Sequence, residues 1–245
     1  MKRVGTIGLG DMGIGLSRNI IQAGFELTGY DLRQERLQML ESVGGKRGTS
    51  VAAVGENSDT VFIMVLNGRQ VINVVDGDNG LLSSTKPGST IIVSATIQPS
   101  EVREVEKLLA GSGIEMIDSP VSGGKSGAES GTLTMMAAAK QEVFASQQDV
   151  LQAVGKDIFH VGEEIGKGQT VKASLQALIG STFTAIFEAL VLGSKVGVPG
   201  KVLYEVFTSS GVRSPLLEGC AKLIMERLDH RGCIETRWLR RWHIA

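Results

Sequence analysis

The residues able to do chemistry fall in a few short stretches, the first of them Gly8-Leu9-Gly10-Asp11-Met12-Gly13. Glycines at this spacing, between an apolar strand and a helix start, suit a pyrophosphate. Gly8 permits a tight turn, Gly10 has no side chain to block a phosphate, and Gly13 lets helix and strand close up. The N–H groups and dipole at the helix start then face the anion. Asp31 follows eighteen residues after Gly13. A carboxylate there can bind the ribose hydroxyls of NAD and repel the 2′-phosphate of NADP, so NAD is expected over NADP. Arg33 is near enough to blunt the preference, and helix capping is the plainer role for Asp31.

Two further stretches follow apolar runs. Leu66-Asn67-Gly68 and Ser94-Ala95-Thr96 are placed to line a cofactor crevice, although plain turns fit them equally well. Asp118-Ser119-Pro120-Val121-Ser122-Gly123-Gly124 offers the Ser122 hydroxyl and the exposed N–H groups of Gly123 and Gly124, a set able to hold a carboxylate. Gly131-Thr132-Leu133-Thr134 comes soon after. In Gly162-x-x-x-Gly166-x-Gly168-x-x-x-Lys172-x-x-x-Gln176, Lys172 and Gln176 lie four apart and share a helix face. Apolar neighbours Val171, Leu175 and Ile179 would lower the pKa of Lys172 and suit it to proton transfer; a snorkelling lysine is the alternative. His160 reads as structural. No cysteine, histidine or carboxylate cluster has metal-ligand spacing, so no metal is expected.

The elements that must position these residues follow from periodicity. Val4–Ile7, Phe25–Tyr30, Thr60–Leu66, Thr90–Val93 and Glu115–Ile117 read as buried strands, with Leu133–Ala138 and Ile158–Val161 extending the same sheet. Residues 11–23 and 33–42 read as helices, the first presenting Ile14, Leu16, Ile20 and Ile21, the second Leu37 and Leu40. The alternation predicts a doubly wound, mostly parallel α/β Rossmann domain over 1–164. From Gln169 to Val196 apolar residues recur at helical spacing on more than one face, predicting one long, buried helix. Helices over 200–209 and 214–227 complete an all-α domain over 165–245. A short helical domain can hardly cover the long helix, so a homo-oligomer is expected.

A chain of 245 residues with net charge −1 has no basic stripe for nucleic acid and no acidic tail. Its two cysteines, Cys220 and Cys233, make no disulfide framework, and the N-terminal apolar run is too short for a signal or membrane segment. A cytoplasmic protein without a membrane partner is expected. Residues 228–245 differ in composition: they hold both tryptophans, four arginines and no lysine. A natural charged helix and an altered terminus are the two readings.

Taken in order, these motifs resemble the β-hydroxyacid dehydrogenases, the 3-hydroxyisobutyrate dehydrogenase-like family, from about residue 3 to 227. The resemblance rests on Gly8–Gly13, Asp118–Gly124, Gly131–Thr134, Gly166-x-Gly168-x-x-x-Lys172 and Glu188-Ala189-Leu190. It implies an NAD-dependent oxidoreductase acting on the hydroxyl of a small hydroxy acid. Lys172 would be the general acid/base, Ser122, Gly123 and Gly124 would hold the substrate carboxylate, and Gln176 would orient the substrate. Thr96 would sit near the nicotinamide. There are departures: Leu175 stands where the family usually has Asn, and Val93-Ser94-Ala95-Thr96 replaces an Asp-x-Ser-Thr run. The tail lacks the family's Lys-Asp pair, and the chain is expected to be forty to fifty residues short. The variant positions resemble most the members that oxidise four-carbon sugar acids such as threonate. The alternatives are 3-hydroxyisobutyrate oxidation, reduction of tartronate or succinate semialdehyde, and a catalytically impaired cofactor binder. Lys172 argues against an imine reductase and against a non-catalytic module of the same fold.

Overall fold

In the computed structural model, which describes residues 2–225, six strands form a parallel sheet. They are β1 (Arg3–Ile7), β2 (Glu26–Tyr30), β3 (Lys46–Arg47), β4 (Thr60–Ile63), β5 (Thr90–Val93) and β6 (Glu115–Asp118). β7 (Val121–Ser122) and β8 (Leu133–Ala138) pair antiparallel, β8 also runs antiparallel to β6, and β9 (Gly155–Gly162) lies parallel to β8. The order is β3-β2-β1-β4-β5-β6-β8-β7, with β9 on β8. It reverses direction between β1 and β4, the switch point at which doubly wound sheets open a crevice.

Helices connect the strands: α1 (Asp11–Gln22), α2 (Gln34–Ser42), α3 (Val51–Glu56), α4 (Gly68–Asp76), α5 (Leu81–Ser84), α6 (Pro99–Leu109), α7 (Gly124–Ser130), α8 (Gln141–Ser146) and α9 (Gln148–Val154). Successive strand residues point to opposite faces, and both faces are apolar. Phe62, Ile92 and Ile117 join Ile14, Leu16 and Ile20 of α1 and Leu37 and Leu40 of α2 in one core. Val61, Ile63, Ile91 and Val93 join Val71, Val74 and Val75 of α4 and Val102, Val105 and Leu109 of α6 in the other. Two-sided burial is the reason the strands read as unbroken apolar runs.

The third expected strand is shorter than its apolar run. β4 ends at Ile63, and Leu66 is exposed. Its neighbours β1 and β5 end on the same row, at Ile7 and Val93, so past the Met64 N–H bond to Ile7 the residues Val65 and Leu66 have no ladder to join.

The last helices are α10 (Lys167–Lys195), α11 (Gly200–Ser209) and α12 (Pro215–Met225). Contacts divide the chain into one unit up to Ser174 and a second from Leu175 on, with the division inside α10. In the second unit Ile186, Leu190, Leu217 and Ala221 form a small core. The expected burial of the long helix is not found: Leu178 is 65% and Leu192 70% exposed. Among the described residues, Leu203, Tyr204 and Phe207 of α11 and Leu217, Cys220 and Ala221 of α12 pack in the cluster that covers one stripe of it. By length and composition α10 would pass for a membrane span, yet its first turns are pinned by hydrogen bonds from Gln169 to the sheet unit. The expectations for residues 228–245 lie outside the described residues.

Phe62 is fully buried between β1 and β5. Phe62→Ala should destabilise the fold by about 3–5 kcal/mol, read as a lower urea midpoint by circular dichroism with an unchanged slope.

Candidate functional site

The sheet places Tyr30, Ile7, Ile63, Val93 and Asp118 in one row across five adjacent strands. Beyond that row the ladder continues for one step only. Gly8 N–H donates to the Tyr30 carbonyl, Met64 N–H to Ile7, Ser94 N–H to Ile63 and Ser119 N–H to Val93. The loops carrying Gly8–Gly13, Asp31, Leu66-Asn67, Thr96 and Ser119–Gly124 therefore all leave one edge of the sheet.

The three motif glycines do different things. Gly8 has φ +90°, and a Cβ there would lie 2.3 Å from the Met64 carbonyl oxygen. A Cβ on Gly13 would lie 1.9 Å from the Gly8 carbonyl oxygen, so the turn itself excludes it. A Cβ on Gly10 would meet nothing within 4 Å, although Gly10 is the N-cap of α1 and no side chain caps that helix. The fold needs Gly8 and Gly13; Gly10 leaves room for something outside the protein. An open helix N-terminus with a bare backbone fits a pyrophosphate. Leu9 is a core side chain, Met12 packs half-buried on the same core, and Asp11 pairs with Arg36 at 3.0 Å.

Asp31 is held from two sides. Its Oδ2 accepts from Leu9 N–H at 2.8 Å, and its Oδ1 accepts from the Arg33 N–H at 3.0 Å and Nε at 3.2 Å. Burial pushes its pKa up, but the Arg33 side chain and the Arg33 and Leu9 N–H groups outweigh that, and the carboxyl ends below its ordinary value. It thus stands as an anion beside the glycine loop.

The start of α10 is built on Asp118, which has no exposed surface and no ion-pair partner among the described residues. Its Oδ2 accepts from Gly166 N–H at 2.9 Å and Gln169 N–H at 3.2 Å, and its Oδ1 from Gln169 Nε2 at 3.0 Å. Burial raises its pKa to about 6 against the pull of these hydrogen bonds. Gly166 has φ +100°, and a Cβ on Gly168 would lie 2.6 Å from the carbonyl oxygens of Asp118 and Met136. The Gly166-x-Gly168 spacing is therefore the condition for bringing this helix start against the ends of β6 and β8. Lys172 follows within one turn. It is 7% exposed and has no ion-pair partner among the described residues, and burial lowers its pKa. An amine so desolvated gives up its proton more readily than an exposed lysine, which suits it to proton transfer.

Ser122 is half-buried in β7 opposite Thr134. Gly123 and Gly124 follow at φ +128° and +59°, backbone that favours glycine. Asn67 caps α4 by accepting from Gln70 N–H, Leu66 N–H donates to Gln70 Oε1, and Thr96 is exposed. Gln176 falls in the second unit. His160 stacks on Phe144 and contacts the Ala139 carbonyl. No metal-binding cluster occurs among the described residues. Sequence reasoning passed over Gln169. Its signal was a long polar side chain in the glycine-rich stretch just before an apolar helix.

Residues 3–162 match the family described as the NAD binding domain of 6-phosphogluconate dehydrogenase, and residues 166–232 match the NAD-binding domain of NADP-dependent 3-hydroxyisobutyrate dehydrogenase. The L-threonate dehydrogenase of Cupriavidus necator is 37% identical over 217 residues, covering 89% of this chain and 73% of its own. The 2-(hydroxymethyl)glutarate dehydrogenase of Eubacterium barkeri is 36% identical, covering 94% of this chain and 76% of its own. The crystal structure of 3-hydroxyisobutyrate dehydrogenase from Salmonella typhimurium superposes with a TM-score of 0.83 at 32% identity, covering 93% of this chain and 79% of its own.

The unequal glycines give a direct test. Gly10→Ala should weaken NAD binding, read by calorimetry, while stability stays within about 0.5 kcal/mol of the parent. Gly13→Ala should lower the melting temperature as well, since its Cβ has no space.

Proposed function

The chain belongs to the β-hydroxyacid dehydrogenase family, whose members are NAD(P)-dependent enzymes acting on CH–OH donors, and from this premise we propose that it oxidises the hydroxyl of a small hydroxy acid with Lys172 as general acid/base. The observation that carries this reading is Lys172 itself. It is a buried lysine without a counter-charge among the described residues, on a helix start that is bonded to the sheet edge carrying the glycine loop. NAD, when bound, supplies the hydride acceptor. The work of the chain is to bind, orient and take the proton. Neutral Lys172 accepts the proton of the substrate hydroxyl as the carbon loses hydride, and the ammonium later returns it to solvent. Ser122 and the N–H groups of Gly123 and Gly124 hold the substrate carboxylate, and Gln176 orients the substrate.

Gly8–Gly13, Leu66, Asn67 and Thr96 bind the cofactor. The ionised Asp31 at the end of β2 favours NAD, because a 2′-phosphate would meet its negative charge. The relatives named for L-threonate and 2-(hydroxymethyl)glutarate act on compact polar acids. A four-carbon sugar acid such as threonate is the substrate proposed here, in a cytoplasmic setting. Lys172→Ala should lower kcat at least about 10²-fold, the size of a general-base contribution, with the Kd for NAD within about threefold. In the parent, kcat/KM for oxidation should rise with pH through an ionisation below the ordinary lysine value, because the neutral amine is the active form; the variant should lose that limb. Turnover that survives Lys172→Ala with the limb intact would remove the assignment.

The exposed apolar side of α10 supports a homo-oligomer. Phe187, Val191 and Leu192 line a shallow groove of about 610 Å³ in the second unit, and a second copy is the proposed cover. Light scattering should give a dimer or larger, and Leu192→Glu should shift it toward monomer; a monomeric parent would refute this.

A further inference from the structure

The loop after β5 and the start of α10 meet at one side chain, and the reading above uses that side chain for nothing. Gln169 is 1% exposed. Its Oε1 accepts from Ile97 N–H at 3.0 Å, and its Nε2 donates to the Ala95 carbonyl at 3.0 Å and to Asp118 Oδ1 at 3.0 Å. Both amide hydrogens and the carbonyl are thus engaged, and only one orientation of the amide satisfies all three. Turned over, Nε2 would face the Ile97 N–H and Oε1 would face two acceptors. The partner Asp118 is equally committed, accepting from Gly166 and Gln169 N–H on its other oxygen.

The two residues bonded on the β5 side, Ala95 and Ile97, flank Thr96. On the other side, Lys172 stands three residues after Gln169 in a continuous helix, roughly 4.5 Å along its axis. We propose that Gln169, clamped by Asp118, is a positioning residue for the dehydrogenation: its amide sets where Lys172 stands relative to the Thr96 loop. The inference rests on the reading of Lys172 and Thr96 given above. A buried polar bridge stabilises a fold less than apolar packing of the same volume and specifies geometry more narrowly. Here the bridge spans a loop and a helix start that share no ladder; without it the helix start would keep its backbone bonds to Asp118 but lose its tie to the Thr96 loop. The raised pKa of Asp118 fits a carboxylate kept for its hydrogen bonds, with no ion-pair partner among the described residues.

The test uses the full chain. Gln169→Met keeps length and removes all three bonds; Asp118→Asn keeps size and turns one acceptor of Gln169 into a donor. Each variant is measured for kcat and KM, for NAD stoichiometry and Kd by calorimetry, and for hydrogen exchange, beside a Lys172→Ala control. Gln169→Met should lower kcat between about 10- and 100-fold, the scale of a misplaced catalytic group. KM for NAD should stay within about threefold and the stoichiometry should not change. Peptides covering 94–98 and 166–173 should lose exchange protection together. Asp118→Asn should do the same more weakly. Parental kcat in Gln169→Met would overturn the proposal. So would a stoichiometry falling in step with kcat, because the pair would then serve folding alone. If Gln169→Met does not fold, Asp118→Asn decides by the same readings. Full activity of Lys172→Ala would sink the underlying reading; its loss beside a fully active Gln169→Met would sink this one only.

Discussion

A carboxylate taken wholly out of water stays ionised only if hydrogen-bond donors replace the water. Asp118 is such a group, and much of the site is arranged around its needs. The donors come from the backbone of Gly166 and Gln169 and from the Gln169 amide. For those N–H groups to reach the end of β6, the chain leaving β9 must turn at a left-handed Gly166 and pass Gly168 against the Asp118 and Met136 carbonyls. A helix started under those conditions carries Lys172 into a place where burial strips its water too. Two buried ionisable groups, one acid and one amine, are thus held by one junction without pairing with each other.

The other half of the site depends on strands ending together. Because β2, β1, β4, β5 and β6 stop on one row, five loops open on the same edge. The loops are free of ladder constraints, while the strands beneath are fixed by apolar packing on both faces. The edge also carries opposite fields side by side: an uncapped helix start at Gly10 and an ionised Asp31 bonded to the neighbouring Leu9. One suits phosphate and the other hydroxyl groups, which is the polarity a dinucleotide presents along its length.

The second unit obeys a different balance. Its small core takes one stripe of α10, while Leu178, Val191 and Leu192 remain exposed. That exposed apolar side is the feature from which a covering second copy is proposed. Of the apolar pattern that made the helix recognisable, the described residues of its own unit cover one stripe.

Local structure was readable from the chain. The glycine spacing declared a tight strand-to-helix turn, the apolar runs declared a two-sided parallel sheet, and the resemblance tied these to the dehydrogenase family. Each depends on residues close in sequence, where backbone sterics and side-chain period act directly. Three things needed the folded chain. The length of β4 was set by where its neighbours stop. Among the three motif glycines, only contacts with Met64 and the Gly8 carbonyl separate those the turn demands from the one it leaves open. The role of Gln169 depends on Ala95, Ile97 and Asp118, 51 to 74 residues away in sequence. Pairings at that distance are decided by how strands and helices pack, and no local period records them.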